Sequence, residues 1–108
     1  MLHIYADMLD VIRGLRPVVV AIQKHDASLA DQLRRSATSA AANIGEGSGL
    51  RAGRRRSHYE IALGSARETK AHLDVAEAWG YVASVDDALK ASLLKVVNVL
   101  VANVERAR

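Results

Sequence analysis

Apolar residues recur along the first segment of the chain at alternating steps of three and four positions. The row consists of Tyr5, Met8, Ile12, Leu15, Val19 and Ile22. Because this spacing keeps one face of an α-helix apolar, it predicts an amphipathic helix over about residues 2–24 with the whole row in the core. Pro17 removes a backbone hydrogen bond inside that helix. The row keeps its phase across the proline, which favours one kinked helix over two separate helices.

A second apolar row predicts a helix over about residues 28–46. It consists of Leu29, Leu33, Ala37, Ala40 and Ile44. Asp26 or Ser28 supplies a side-chain oxygen that can cap the first turn of this helix. Glycine punctuates helical patterns, and the glycines that follow are expected to break the helix; they are Gly45, Gly47, Gly49 and Gly53.

The third helix is predicted over about residues 54–80, with Gly80 as its stop. Its core face consists of Tyr59, Ala62, Ala66, Leu73 and Ala76. Ile61 and Leu63 are expected to widen this face, and Trp79 and Tyr81 to plug the end of the bundle.

The last helix is predicted over about residues 86–106, after a capping signal that begins at Ser84. Its buried row consists of Val85, Leu89, Leu93, Val96, Leu100 and Val104. Val97 and Val101 add more apolar width than a lone bundle requires. No segment shows the strict alternation of a strand, so the 108 residues are predicted to form one domain, 1–108, an all-α up-down-up-down four-helix bundle.

Polar rows run beside the apolar rows of the second and third helices. They consist of Gln32, Ser36, Ser39, Asn43 and Glu46 on the second helix, and of His58, Ser65, Glu68 and His72 on the third. We interpret them as a hydrogen-bonded network, either between the two helices or at a subunit contact, because buried polar groups can set register and partner geometry. The residues assigned to this role are Gln32, Ser39, Asn43, Glu46, Ser65 and Glu68.

The same residues fit a catalytic or metal site poorly. A di-iron bundle site uses glutamate followed three residues later by histidine, whereas Glu68 and His72 are four apart. Hydrolysis by Ser39 or Ser65 requires a positioned base, and the sequence singles out neither serine. We therefore expect no catalytic residue, no metal and no cofactor, so that the protein is not an enzyme.

Arginines cluster at the second interhelical turn. Arg51, Arg54, Arg55 and Arg56 fall within six residues, and Arg34 and Arg35 lie one helix away. Guanidinium groups suit phosphate, and the formal net charge of +3 permits an anionic partner. These six residues are therefore the candidate nucleic-acid contacts, with docking onto an acidic protein or a merely solvated helix start as the alternatives. Because no aromatic platform accompanies them beyond Tyr59 and His58, binding is expected to involve the nucleic-acid backbone with little base reading.

The chain contains no cysteine, which excludes disulfides. Asp7 and Asp10 interrupt the segment where a secretory signal would be apolar. The longest apolar run, 18–22, is far shorter than the ~20 residues of a membrane helix. We expect a cytoplasmic protein that does not contact membranes.

Two motifs follow each other along the second and third predicted helices. The first is Gln32-Leu33-Arg34-Arg35, then Ser39, then Asn43-Ile44-Gly45-Glu46-Gly47; the second is Ile61-Ala62-Leu63-Gly64-Ser65, then Glu68 and Leu73. Both resemble motifs of the small four-helix-bundle proteins encoded in intervening sequences of bacterial 23S rRNA. The resemblance covers about residues 28–104. Gly45 stands where the family usually has alanine.

The resemblance implies a homo-oligomeric ring with a basic surface. The family includes the accessory variability determinant of diversity-generating retroelements, a homopentamer that binds nucleic acid and a reverse transcriptase. By this resemblance the partners are further copies of the chain, in a pentamer, together with RNA or DNA backbone and a reverse transcriptase or other protein. The function expected is a non-enzymatic oligomeric adaptor for nucleic acid or a nucleic-acid-handling partner; the alternative is a protein-interaction scaffold without nucleic-acid binding.

Overall fold

The computed structural model describes residues 3–106 and contains four α-helices. They are α1 (Ile4–Gln23), α2 (Ala27–Ser48), α3 (Ala52–Trp79) and α4 (Asp87–Arg106). Each helix packs extensively on the next along the chain, and α4 packs back on α1. This is the predicted up-down-up-down four-helix bundle, and no strand occurs within the described range. None of the described helices has the length and apolarity to cross a membrane.

Local signals set the helix boundaries close to where the sequence predicts them. The Asp26 carboxylate accepts a 2.9 Å hydrogen bond from the Leu29 amide and caps α2. At the end of α3, Gly80 adopts a left-handed conformation with φ 76°, which glycine reaches without a steric penalty. The Tyr81 amide then donates to the Ala76 carbonyl at 3.0 Å, closing the last turn. α1 continues across Pro17, which is exposed, as the unbroken apolar row predicts.

The expectation that four glycines break the second helix is wrong for three of them. α2 continues through Gly45 and Gly47 to Ser48, and Gly53 lies inside α3. Gly47 is buried against the ring of Tyr59, and an added Cβ there would lie 2.7 Å from Tyr59 Cε1. This glycine therefore allows a close approach of two helices rather than a chain reversal.

The core confirms the predicted rows of α2, α3 and α4 but corrects the row of α1. Every residue of the core rows predicted for α2, α3 and α4 is buried. In α1, Met8, Leu15 and Ile22 are buried as predicted, whereas Tyr5 is 43% exposed and Ile12 and Val19 are only half-buried. Ile4 and Val11 fill the core in their place. Since α1 is apolar around more than one face, its rotation is decided by its neighbours and not by its own pattern.

The structure also corrects the positions predicted for Trp79 and Ile61. Trp79 is 70% exposed and does not plug the bundle. It stacks on Tyr81 with ring centroids 6.3 Å apart, and Tyr81 stacks in turn on His25 at 5.3 Å. Ile61 points outward and is 52% exposed, because the core side of α3 is already filled by Tyr59 and the alanines.

Candidate interaction surfaces

Side-chain hydrogen bonds join α2 to α3 at four levels. The last, between Ser48 and Tyr59, lies at the end of α2; the other three together we call the polar seam. Thr69 Oγ1 donates to Ser36 Oγ at 2.9 Å, and both residues are buried. The hydroxyls of Ser39 and Ser65 lie 2.8 Å apart. Nearer the α2–α3 turn, Asn43 Oδ1 lies 3.0 Å from His58 Nδ1.

The polar seam is internally satisfied and therefore fits a role in helix register. Ser36 donates to the Leu33 carbonyl at 3.1 Å, so that it can accept from Thr69. The amide of Asn43 donates to the Ser39 carbonyl at 2.9 Å while its oxygen faces His58. A typical intramolecular hydrogen bond contributes about 0.5–1.5 kcal/mol, but an unpaired buried group costs more, so a shifted register would be penalised.

The predicted polar residues divide between the seam and the surface. The structure brings Ser39, Asn43 and Ser65 together. Glu46 is exposed on α2, and Gln32 is exposed and bonds Ser28 at 3.1 Å. Glu68 is also exposed and lies 3.5 Å from His72 Nε2.

The sequence interpretation missed Thr69. The signal that marks it is its spacing: Thr69 follows Ser65 by one helical turn and continues the polar row of α3 towards the core.

The arginine-rich turn consists of Arg51, Arg54, Arg55 and Arg56, at the start of α3. Arg55 Nη2 donates to the Leu50 carbonyl at 3.0 Å. Arg56 Nε lies 3.0 Å from a Glu60 carboxylate oxygen, close enough for an ion pair although not aligned as a hydrogen bond. Arg51 and Arg54 are exposed, and neither forms an ion pair with a carboxylate of the described residues.

Arg34 and Arg35 do not join this turn. Arg34 precedes the end of α2 by fourteen residues, which is about 21 Å along the helix at 1.5 Å per residue. Arg35 is paired with Asp31 at 2.8 Å. Arg34 instead lines a groove between α1 and α2, to which Arg16 of α1 also contributes. The six candidate arginines therefore form two separate basic surfaces.

Shallow grooves run along both edges of α2. The α1–α2 groove has a volume of about 300 Å³ and is lined by Ile12, Leu15, Arg16, Val19, Arg34, Ala37 and Thr38. The α2–α3 groove has a volume of about 270 Å³ and is lined by Gln32, Arg35, Ser36, Ser39, Ser65 and Glu68. The first has an apolar floor with two arginines, while the second is lined by residues with polar or charged side chains.

The two aromatic candidates of the basic end differ in exposure. Tyr59 is buried, with its hydroxyl 3.1 Å from Ser48 Oγ, so it offers no stacking face. His58 is partly buried and engaged with Asn43. Within residues 3–106, no three histidine or acidic side chains are arranged to hold a metal ion.

Comparison with known proteins gives one family and one similar structure. The family model described as 23S rRNA-intervening sequence protein matches residues 13–102. The fold is similar to a crystal structure from Bacteroides thetaiotaomicron, of a protein of unknown function from the S23 ribosomal protein family. The two chains are 18% identical over 94% of this chain and 97% of that chain, with a TM-score of 0.78. No match was found among curated proteins.

Proposed function

The chain belongs to the family of 23S rRNA-intervening sequence proteins, and from that premise we propose that it acts without catalysis. In this proposal it is an oligomeric adaptor that binds nucleic acid, or a nucleic-acid-handling partner, through the arginine-rich turn. The observation that carries the proposal is the pair Arg51 and Arg54, which extend into solvent at the start of a 28-residue helix.

The electrostatics of this turn favour an anionic partner. The first turn of α3 contains no acidic residue, so the partial positive charge of the helix start adds to the guanidinium groups. Like charges this close repel each other, and a phosphate group that lies between them relieves the repulsion. A ligand held in this way is recognised by its backbone, and its affinity falls steeply with salt because counterions are released on binding.

The polar seam supports a structural role for the hydroxyl groups. Ser39 and Ser65 are hydrogen-bonded to each other, and His58 is hydrogen-bonded to Asn43. Neither serine is therefore paired with a base that would activate it as a nucleophile. The seam instead holds α2 and α3 in one register and so fixes the turn that carries the arginines.

The proposal is tested by measuring affinity for a structured RNA and a DNA duplex across a salt series. The test variant is Arg51→Ala/Arg54→Ala, and the matched control is Lys24→Ala/Arg67→Ala, which removes two exposed charges elsewhere. For duplex DNA, log K falls with log salt by about 0.9 per phosphate contact, so the test variant should lose up to about two units of slope. Equal binding by both variants, or binding insensitive to salt, would contradict the proposal.

A second candidate function is a protein-interaction scaffold without nucleic-acid binding. The exposed apolar side chains of Ile61, Val75 and Trp79 favour it, because these groups suit protein contacts. This candidate predicts that the protein self-associates but binds neither RNA nor DNA, even at low salt.

A further inference from the structure

One row of apolar side chains on α1 is left partly uncovered by the bundle. Tyr5, Ile12 and Val19 recur every seven residues on the side of α1 that faces α2. Ile12 and Val19 form a wall of the α1–α2 groove, and Leu15 and Ala37 contribute to its floor. Apolar positions at heptad spacing are the pattern by which one helix receives another.

Two arginines flank this groove without partners of their own. Arg16 projects from α1 between Ile12 and Val19, and Arg34 projects from α2. Both are exposed, and neither forms an ion pair with any carboxylate among residues 3–106. Their neighbours Arg13 and Arg35 are paired with Asp10 and Asp31. An occupant of the groove should therefore be apolar along its length with a carboxylate near its middle.

α3 carries a row that meets this description. Ile61, Glu68 and Val75 also recur every seven residues and all three are exposed, Ile61 by 52% and Val75 by 42%. Glu68 thus has an apolar side chain about 10 Å away on either side along the helix, at 1.5 Å per residue. The two apolar side chains of this row are fourteen residues apart, twice the separation of Ile12 and Val19, which flank Arg16. With Glu68 beside Arg16, they would therefore lie about 5 Å beyond Ile12 and Val19, at the two ends of the groove.

The groove and the α3 row lie at opposite edges of α2 and at a similar height. Thr69, next to Glu68, is bonded to Ser36, which follows Arg34 by two residues. A contact between the two edges can therefore form between neighbouring copies while each copy uses both edges. Such head-to-tail contacts close into rings when the rotation between copies allows it.

We propose that the α1–α2 groove binds a second copy of this chain, whose Ile61–Glu68–Val75 row lies in the groove with Glu68 between Arg16 and Arg34. This inference rests on the self-association in the proposed function and names its contact. It is independent of the arginine-rich turn, which lies at the end of the bundle. Burial of the apolar row supplies the attraction, and the ion pairs determine which edges meet.

The test is a charge reversal with rescue, read out as native mass by light scattering. Glu68→Arg places like charges in the contact, and Arg16→Glu/Arg34→Glu does the same from the other side. Each variant alone should fall from a multiple of the 11.6 kDa chain to a single chain. An equimolar mixture of the two should recover an oligomer, because every contact between unlike copies is again complementary.

Matched controls reverse exposed charges outside the contact, with Glu105→Arg and Arg67→Glu, and these should keep the wild-type mass. Far-ultraviolet circular dichroism confirms that each variant is folded, and Val75→Ser provides a second, charge-neutral disruption. An oligomeric wild type whose mass survives all the contact variants would overturn this inference while leaving self-association intact. A monomeric wild type would overturn both, whereas loss of nucleic-acid binding alone would bear only on the arginine-rich turn.

Discussion

Replacing Gly47 with alanine tests whether a buried glycine sets the spacing of α2 and α3. An added Cβ would lie 2.7 and 2.8 Å from two carbons of the Tyr59 ring and 3.1 Å from His58 Cβ. The ring is fully buried and held by its hydrogen bond to Ser48, so it cannot swing away. Overpacking of this kind costs typically about 1–3 kcal/mol.

The matched control is Gly64→Ala, in the middle of α3. Nothing lies within 4 Å of a Cβ at that position. Alanine is favoured over glycine in a helix interior by about 1 kcal/mol, and Gly64→Ala gains this amount. Gly47 is the penultimate residue of α2, so Gly47→Ala gains at most this amount. Gly64→Ala should therefore stabilise the protein by about 1 kcal/mol, while Gly47→Ala should range from neutral to destabilising by about 3 kcal/mol after the steric cost is included.

Urea unfolding of both variants at one protein concentration measures the two free energies of unfolding. The decisive quantity is the sign of the Gly47→Ala effect. Helix propensity alone favours alanine, so a loss of stability would report the contact with Tyr59. If Gly47→Ala were as stabilising as Gly64→Ala, the ring would have room to move. The close approach would then not depend on glycine.

Two further predictions concern the core and an ion pair at the other end of the bundle. Leu33→Ala should lower the free energy of unfolding by about 2–5 kcal/mol because Leu33 is fully buried. Leu94 is 51% exposed, so the control Leu94→Ala should lower it by less than about 1 kcal/mol. Similar losses for the two variants in denaturant titrations would mean that the α2 core face is misassigned. The hydrogen bond from Lys90 lowers the pKa of Glu77, and the same bond raises the pKa of Lys90. The pair's contribution is therefore present at neutral pH and is lost as the pH falls below the ordinary carboxyl range of about 4 or rises above the ordinary lysine range of about 10. Lys90 is exposed and Glu77 is only half-buried, so water weakens the pair and Glu77→Gln should flatten the acid limb of the stability profile only slightly. A variant that steepened this limb would contradict the assignment.

The sequence by itself determined the number of helices, their approximate ends and three of the four core rows. These features depend on interactions between residues close in the chain. The period of the apolar residues selects a helix, the Asp26 side chain bonds an amide three residues ahead, and Gly80 alone can adopt the conformation that ends α3. The two motifs also identified the family that the match over residues 13–102 establishes.

The rows of the polar seam were visible in the sequence, but their partners were not. Serine, asparagine and histidine at helical spacing indicate a polar face, yet the spacing does not say which hydroxyl meets which. Ser36 is hydrogen-bonded to Thr69, a residue that the sequence interpretation had left out. This pairing could not be predicted because all the contacts between two helices together fix their register. Arg34 and Arg35 were likewise grouped with the other four arginines, but about 21 Å of α2 separates Arg34 from the end of the helix where those four lie.

Only the tertiary structure decided which face of α1 is buried and what the glycines do. α1 has apolar residues on two adjacent faces, so its own periodicity allows either face to turn inward. Gly14 lets Leu89 of α4 pack tightly, since an added Cβ would lie 2.9 Å from Leu89 Cδ1, and this contact helps to orient the helix. The rotation places Met8 and Leu15 in the core and leaves Ile12 in the α1–α2 groove, because burial depends on what the neighbouring helices offer and not on one helix alone.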